Sequence, residues 1–283
     1  MSQNDPDASS LSSNSLPESP EFSSWVNDLG LSITDEQTLV NGKCLTATHM
    51  SAANCLLRSQ FPSQNGLQDT CVLKQSGKWS SNPDGFVQII YISPGHWACL
   101  SNKFSSVDSV DLFDSLRTLT EDDSTILPQV CCILHTPEPS ITANVVNVGL
   151  QEGSSDCGLF AIAMAYDLCA GVDPATRQYV QSEMRNHLHS CINNKQLKPF
   201  PGTVRNIKKR TIFHVRTEVH CKCRMPEGGQ WMVCCDRCQV WYHEECVPVP
   251  IEVRNDTKNE VPWQCPQCEE GTYMYVISSK FVY

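Results

Sequence analysis

Seven cysteines and one histidine in the last quarter of this chain fall into four close pairs: Cys221-x-Cys223, Cys235-x-x-Cys238, His243-x-x-Cys246 and Cys265-x-x-Cys268. Zinc takes four soft or borderline ligands in a tetrahedron, and two ligands one to four residues apart supply half of it from a single turn. Four half-sites therefore make two complete sites. A segment of about 50 residues cannot bury enough apolar surface to fold alone, so the metal must carry much of its folding free energy. Cys234, beside Cys235, is a spare thiol that could compete for the ion.

A second set of reactive residues lies upstream, at His96, Asp114, Gln151 and Cys157. Cys157, followed by Gly158, leads into the run Leu159-Phe-Ala-Ile-Ala-Met-Ala-Tyr-Asp-Leu168, apolar nearly all round as a central buried helix is. A thiol at a helix N-terminus is stabilised as thiolate by the macrodipole and the unpaired N–H groups, and so becomes nucleophilic at neutral pH. In that setting Cys157 would attack a carbonyl, His96 would form the ion pair and protonate the leaving amine, and Asp114 would fix the imidazole tautomer. The Gln151 amide and the Cys157 backbone N–H would donate to the oxyanion. Asp111 is an alternative orienter of the imidazole, and Asp156 has the simpler reading of a helix cap.

The elements that must position these residues are legible from periodicity. Phe86–Ile92 reads as a buried strand, Ser93-Pro94-Gly95 as a turn, His96–Leu100 as a second strand, Val107–Phe113 as a third and Ala143–Val148 as a fourth. Thr48–Gln60 reads as a helix with Met50, Ala53, Leu56 and Leu57 on one face, and Ala175–Cys191 as a later helix.

The order of four cysteines, one histidine and three cysteines, with Trp263 two residues before the last pair, resembles the PHD finger. A RING-type module shares the ligand chemistry, but the short Gln239-Val-Trp-Tyr242 gap before His243 favours PHD. The resemblance implies a cross-brace: Cys221, Cys223, His243 and Cys246 on one zinc, Cys235, Cys238, Cys265 and Cys268 on the other. It also implies a histone tail as partner, with Met232 and Trp241 as walls of a methyl-lysine cage and His220 as its third side. A quaternary ammonium is attracted to π faces and cannot be held by hydrogen bonds. The competing reading is that Trp241 only packs the small core.

His96-Trp97, then Asp114 within Phe-Asp-Ser-Leu, then Gln151 and Asp156-Cys157-Gly158 resemble the Ulp/sentrin-type cysteine proteases of ubiquitin-like proteins. This resemblance implies an α+β, papain-like domain, a mixed sheet with a buried helix carrying the nucleophile. It implies Trp97 walling a channel for a Gly-Gly tail, and a ubiquitin-like protein as substrate. The expected organisation is a disordered tail over 1–24, protease over 25–201, basic linker over 202–216, finger over 217–270 and an extension over 271–283. A protease joined to a PHD finger is also similar to products of mobile elements.

Composition sets the outer limits. A net charge of -10 argues against wholesale binding to a nucleic acid backbone, despite the local cluster Arg205, Lys208, Lys209, Arg210 and Arg216, which reads as a solvated linker. Residues 1–24, rich in Ser, Asn, Asp and Pro, contain no signal-like apolar run, and no stretch reaches transmembrane length. The 17 cysteines then read as reduced thiols and zinc ligands of an intracellular, nuclear protein. Cys44, Cys55, Cys71, Cys99, Cys131, Cys132, Cys169 and Cys191 are expected as small core hydrophobes, and His49, His135, His187, His189 and His214 as ordinary surface or core histidines. Two other functions stay open, a catalytically inactive chromatin-binding scaffold and an acetyltransferase on the same triad.

Overall fold

A computed structural model of the chain describes residues 23–70, 85–92, 95–105, 109–118, 126–134, 140–219, 221–225, 230–258 and 260–271. The expected tail and C-terminal extension lie outside these apart from positions 23–24 and 271, as do Cys71, the Ser93-Pro94 turn, His135 and His220.

The chain opens with β1 (Ser24–Val26) paired to β2 (Leu31–Ser32), then α1 (Ile33–Val40) and α2 (Ala47–Gln60). Ser32 and Asp35 close a capping box at the start of α1, satisfying two N–H groups that the helix cannot pair internally. A five-stranded sheet follows, with β3 (Val87–Ile92), β4 (His96–Ser101), β5 (Ser109–Phe113) and β6 (Ser140–Val146). The hairpin strands β3, β4 and β5 are antiparallel. β5 and β6 run parallel, the connection between them passing through α3 (Leu127–Leu134). A parallel pair cannot be joined by a tight turn and needs such a crossover.

α4 (Cys157–Cys169) is buried at every position but Tyr166. Its N-cap residue, Asp156, makes no capping hydrogen bond. A missing cap costs about 1 kcal/mol, whereas Leu159, Phe160, Ile162, Met164 and Leu168 each contribute ~1.5–3 kcal/mol by burial. Packing therefore holds this helix. It lies against one face of the sheet with Trp97, Cys99 and Phe113, while α3 covers the other face over Ile90, Leu100 and Leu112.

Beyond α4 the chain forms β7 (Arg177–Tyr179), α5 (Gln181–Asn193), β8 (Gly202–Val204) and β9 (Thr211–Glu218). Two expectations are corrected here. The helix expected over Ala175–Cys191 begins only at Gln181, because 177–179 pairs with β8 as a ribbon. Residues 202–216 are not a solvated linker: β9 is the fifth strand of the main sheet, paired antiparallel with β6. Two of the cluster's arginines are held by the protease unit, while Lys208, Lys209 and Arg216 stay exposed. Arg210 meets Asp111 at 2.8 Å and Asp173 at 2.6 Å, and Arg205 donates to the Asn147 carbonyl at 2.6 Å.

Immediately after β9 comes a small unit with its own core, built on the ribbon β10 (Met232–Cys234) and β11 (Trp241–His243) and two short helices, α6 (Ile251–Arg254) and α7 (Pro266–Glu269). Met225 packs onto the α3 side of the sheet, its Sδ 3.7 Å from Cys132 Sγ.

Candidate active site and metal centres

The pairing of β4 with β5 explains how residues 18 apart meet. Cys99 faces Phe113, so one step further Asp114 stands beside Ala98 and diagonal to His96. The His96 ring donates through Nε2 to Asp114 Oδ1 at 2.6 Å, both groups being buried. Asp114 also accepts from the backbone N–H groups of Leu116 and Thr118, each at 2.8 Å, and from the Thr118 hydroxyl at 3.1 Å. Burial opposes the charge, but His96 and these donors outweigh it and hold the carboxyl below its usual range.

The other imidazole nitrogen, Nδ1, is buried and makes no hydrogen bond among the described residues, while the ring interacts with the Cys157 thiol electrostatically. Burial pushes the imidazolium pKa down, yet Asp114 and Cys157 together raise it to about 9. Burial likewise pushes the Cys157 thiol up, but His96 and the backbone N–H groups of Trp97 and Gly158 prevail and lower its pKa. The two directions agree: each group favours the charged form of the other, the tendency that makes a cysteine more nucleophilic.

Gly158 is required by close approach, since a Cβ there would lie 2.9 Å from Leu45 Cβ and 3.0 Å from Met50 Cε. The same Leu45 accepts from Trp97 Nε1 through its carbonyl at 3.0 Å, and Trp97 meets Tyr91 edge-on at 5.0 Å between centroids. Trp97 thus forms one wall of a cleft of about 320 Å³ with Cys44, Leu45, Thr70, Tyr91 and Gly95. Gln151 sits beside this constellation, its Nε2 donating to the Gly153 carbonyl at 3.0 Å and its Oε1 accepting from Ser115 Oγ at 2.7 Å.

The alternatives weighed for neighbouring acids fall away. Asp111 is fully buried, but its partners are Arg210 and Asn144, not His96. Asp156 does not cap α4 by its side chain: it is clamped to α5 by Arg185 and by Gln181, whose Nε2 donates to it at 2.6 Å. Cys44 and Cys55, expected in the core, are exposed, whereas Cys99, Cys131, Cys132, Cys169 and Cys191 are buried. The cleft wall at Tyr91 and Leu45 carries no sequence signal of its own, and Ser115, though inside the Phe-Asp-Ser-Leu motif, gives no sign of its contact with Gln151, since each role depends on a partner distant in the chain.

In the small unit the eight expected ligands gather into two groups, Cys221, Cys223, His243 and Cys246, and Cys235, Cys238, Cys265 and Cys268. Within each, the ligand atoms lie within 4.8 Å of one another. Tetrahedral zinc with Zn–S bonds of 2.3 Å sets its sulfurs about 3.8 Å apart. Cys238 and Cys265 Sγ stand 3.9 Å apart, and His243 Nδ1 is 3.3 Å from Cys223 Sγ and 4.0 Å from Cys246 Sγ. The residues fit two structural zinc ions in a cross-brace.

Trp263 packs inside this unit at 6% exposed, edge-on to Tyr242. Trp241, by contrast, is 45% exposed and does not serve as core. With Met232 it lines a groove of about 510 Å³ that also takes in Trp231, Met225, Gln230 and, from β9, Thr217 and Glu218. Trp231 and Met225 are additions to the expected walls, and the third expected wall, His220, lies outside the described residues.

Fold and site together define the class: a Ulp-type cysteine protease fold followed by a PHD finger. Residues 221–268 match the PHD-finger family. Over most of the remainder the chain is similar to the solved structure of the SUMO protease Ulp1 with its catalytic cysteine oxidised to a sulfonic acid. That likeness has a TM-score of 0.52 at 18% identity and covers 64% of this chain and 91% of the other, which establishes the fold. Two curated relatives match the finger. The Set1 complex component spp1 of Schizosaccharomyces pombe is 44% identical over 62 residues, 22% of this chain and 14% of its own length. The COMPASS component SPP1 of Saccharomyces cerevisiae is 33% identical over 54 residues, 19% of this chain and 14% of its own length. The chain thus spans only about a seventh of either relative. No helix among the described residues is long and apolar enough to cross a membrane.

Proposed function

We propose that the chain is a thiol peptidase or isopeptidase acting on a ubiquitin-like protein or its conjugates, working in the nucleus and brought to chromatin by a finger that reads histone tails. The observation that carries the reading is the buried chain Asp114–His96–Cys157, with the carboxylate at 2.6 Å from the imidazole and the thiol pKa lowered. Support for the substrate class comes from the fold shared with a SUMO protease, and for the partner from the finger's likeness to components of Set1 and COMPASS complexes.

In this mechanism the Cys157 thiolate adds to the carbonyl carbon at the end of the modifier's tail, and the carbonyl π electrons move to oxygen. The second Gln151 Nε2–H and the Cys157 backbone N–H donate to that oxyanion. His96 then gives its Nδ1 proton to the departing amine nitrogen, the C–N bond breaks, and a thioester remains. Water, losing one proton to His96, attacks the thioester and expels the Cys157 thiolate, which restores the ion pair, and the modifier's new carboxyl group gives its remaining proton to solvent. Asp114 stays ionised throughout and holds the ring by Nε2. The finger's zinc ions take no part: Cys221, Cys223, His243, Cys246 and the second set of four hold them as structural ions.

The test is a panel of ubiquitin-like proteins, each bearing a C-terminal electrophile, applied to the full chain at neutral pH. One or more should form a covalent adduct at Cys157, lost in Cys157→Ala with the fold retained. Failure of every member would leave the chain as a scaffold with a protease fold.

A further inference from the structure

A primary amide offers a donor at one end and an acceptor at the other, so an amide that serves an oxyanion must be kept from turning over. Gln151 is 8% exposed and Ser115 2%. The Ser115 hydroxyl donates to Gln151 Oε1 at 2.7 Å, and the Gln151 backbone N–H donates to the Ser115 carbonyl at 3.1 Å. At the other end Nε2 donates one of its two hydrogens to the Gly153 carbonyl at 3.0 Å. Gly153 has φ +71°, a conformation a side chain would strain, and that turn brings its carbonyl back toward Gln151.

We infer that Ser115 is a positioning residue for the oxyanion donor: its hydroxyl locks the Gln151 amide with one N–H held by Gly153 and the other free for substrate. The inference rests on the peptidase reading given above. Turning the amide over would set Oε1 against the Gly153 carbonyl, two acceptors at 3.0 Å, so Gly153 selects the orientation. Ser115 holds it. Without the hydroxyl, a buried Oε1 loses its donor and the amide gains by swinging toward another. Ser115 also follows Asp114 directly, so the short segment after β5 carries both the acceptor that orients His96 and the donor that orients Gln151. Any shift of that segment moves the ion pair and the oxyanion site together.

Ser115→Ala and Ser115→Thr in the full chain separate these roles. Hydrolysis of a SUMO C-terminal fluorogenic amide passes through an oxyanion, whereas alkylation of Cys157 by iodoacetamide forms its C–S bond at a saturated carbon and does not. Losing an oxyanion donor outright costs about 10²–10³ in kcat. Ser115→Ala is expected to lower kcat on the order of tenfold or more toward that limit, with KM within about twofold and the alkylation rate unchanged. Ser115→Thr, which keeps the hydroxyl, should restore most of it. Unchanged kcat in Ser115→Ala overturns the inference, and so does an equal loss in both reactions, which marks a general structural role. If the wild type cleaves neither this amide nor that of any other ubiquitin-like protein in the panel, the peptidase reading fails by itself, and a crystal structure of Ser115→Ala still decides the positioning. A turned or doubled Gln151 amide supports it, and an unmoved one overturns it.

Discussion

Asp114→Asn removes a charge from the buried imidazole while keeping an oxygen that can accept from Nε2, so it isolates what the carboxylate does to the proton. His96 is held at about 9 against an ordinary imidazole value of 6.5. Because the pKa is raised, the proton stays on through neutral pH. The stability this contributes is fully present below about pH 6.5 and is lost as pH rises through about 9. With the carboxylate gone, burial pushes the ring down and only Cys157 still pushes it up, so the midpoint should fall to near 6.5 or below. At about pH 8.5 the protonated fraction would drop from roughly three-quarters to about one-hundredth, a loss of about 80-fold, while at about pH 6 the loss stays under twofold. The asparagine also has a structural cost. Asp114 accepts at both oxygens, and an amide would set its NH2 against either the Thr118 N–H or the His96 and Leu116 donors. An unmet buried donor costs about 1–3 kcal/mol, which thermal unfolding will register separately. The assay is the titration of His96 by NMR in histidine-labelled full-length protein, with the pH profile of Cys157-dependent turnover beside it. A midpoint that stays near 9 in Asp114→Asn, or a rate loss equal at both pH values, refutes the assignment.

Chelation should release two zinc ions per chain and unfold the finger while the protease core persists. Atomic absorption reads the first and the fluorescence of Trp231, Trp241 and Trp263 the second, and one ion per chain would contradict the paired clusters. Trp241→Ala should weaken binding of a trimethyl-lysine histone peptide by about 5- to 30-fold, as a lost cation–π wall of ~1–2 kcal/mol implies, with zinc content intact. Unchanged affinity in that calorimetric titration would show that the exposed ring is not a cage wall. Arg210→Ala leaves the buried Asp111 carboxylate without its cation and should destabilise the chain by about 3 kcal/mol, measured by denaturant unfolding. A change under about 0.5 kcal/mol would mean that β9 is held to the sheet without this pair.

The sequence by itself determined most of the chemistry, because that chemistry is written in short spacings. Pairs of zinc ligands two or three positions apart, a cysteine at the head of a nearly all-apolar helix, and a histidine opening a strand are each local patterns, and each lies where its pattern puts it. The edge strand β9 was not legible, since five basic residues read as a solvated linker, and only the fold shows β9 paired to β6 and Arg210 meeting Asp111 and Asp173, 99 and 37 positions away. Asp114 was the preferred orienter and Asp111 its alternative, and the register of β4 on β5 separates the acid that meets imidazole from the one that meets arginine. Likewise Asp156 reads as a helix cap until α5 folds back to claim its carboxylate, and Trp241 reads equally as core or as groove wall. Such choices depend on which distant groups the fold brings within a few ångströms, where hydrogen bonding and desolvation decide a side chain's charge and exposure. Spacing along the chain carries no record of that.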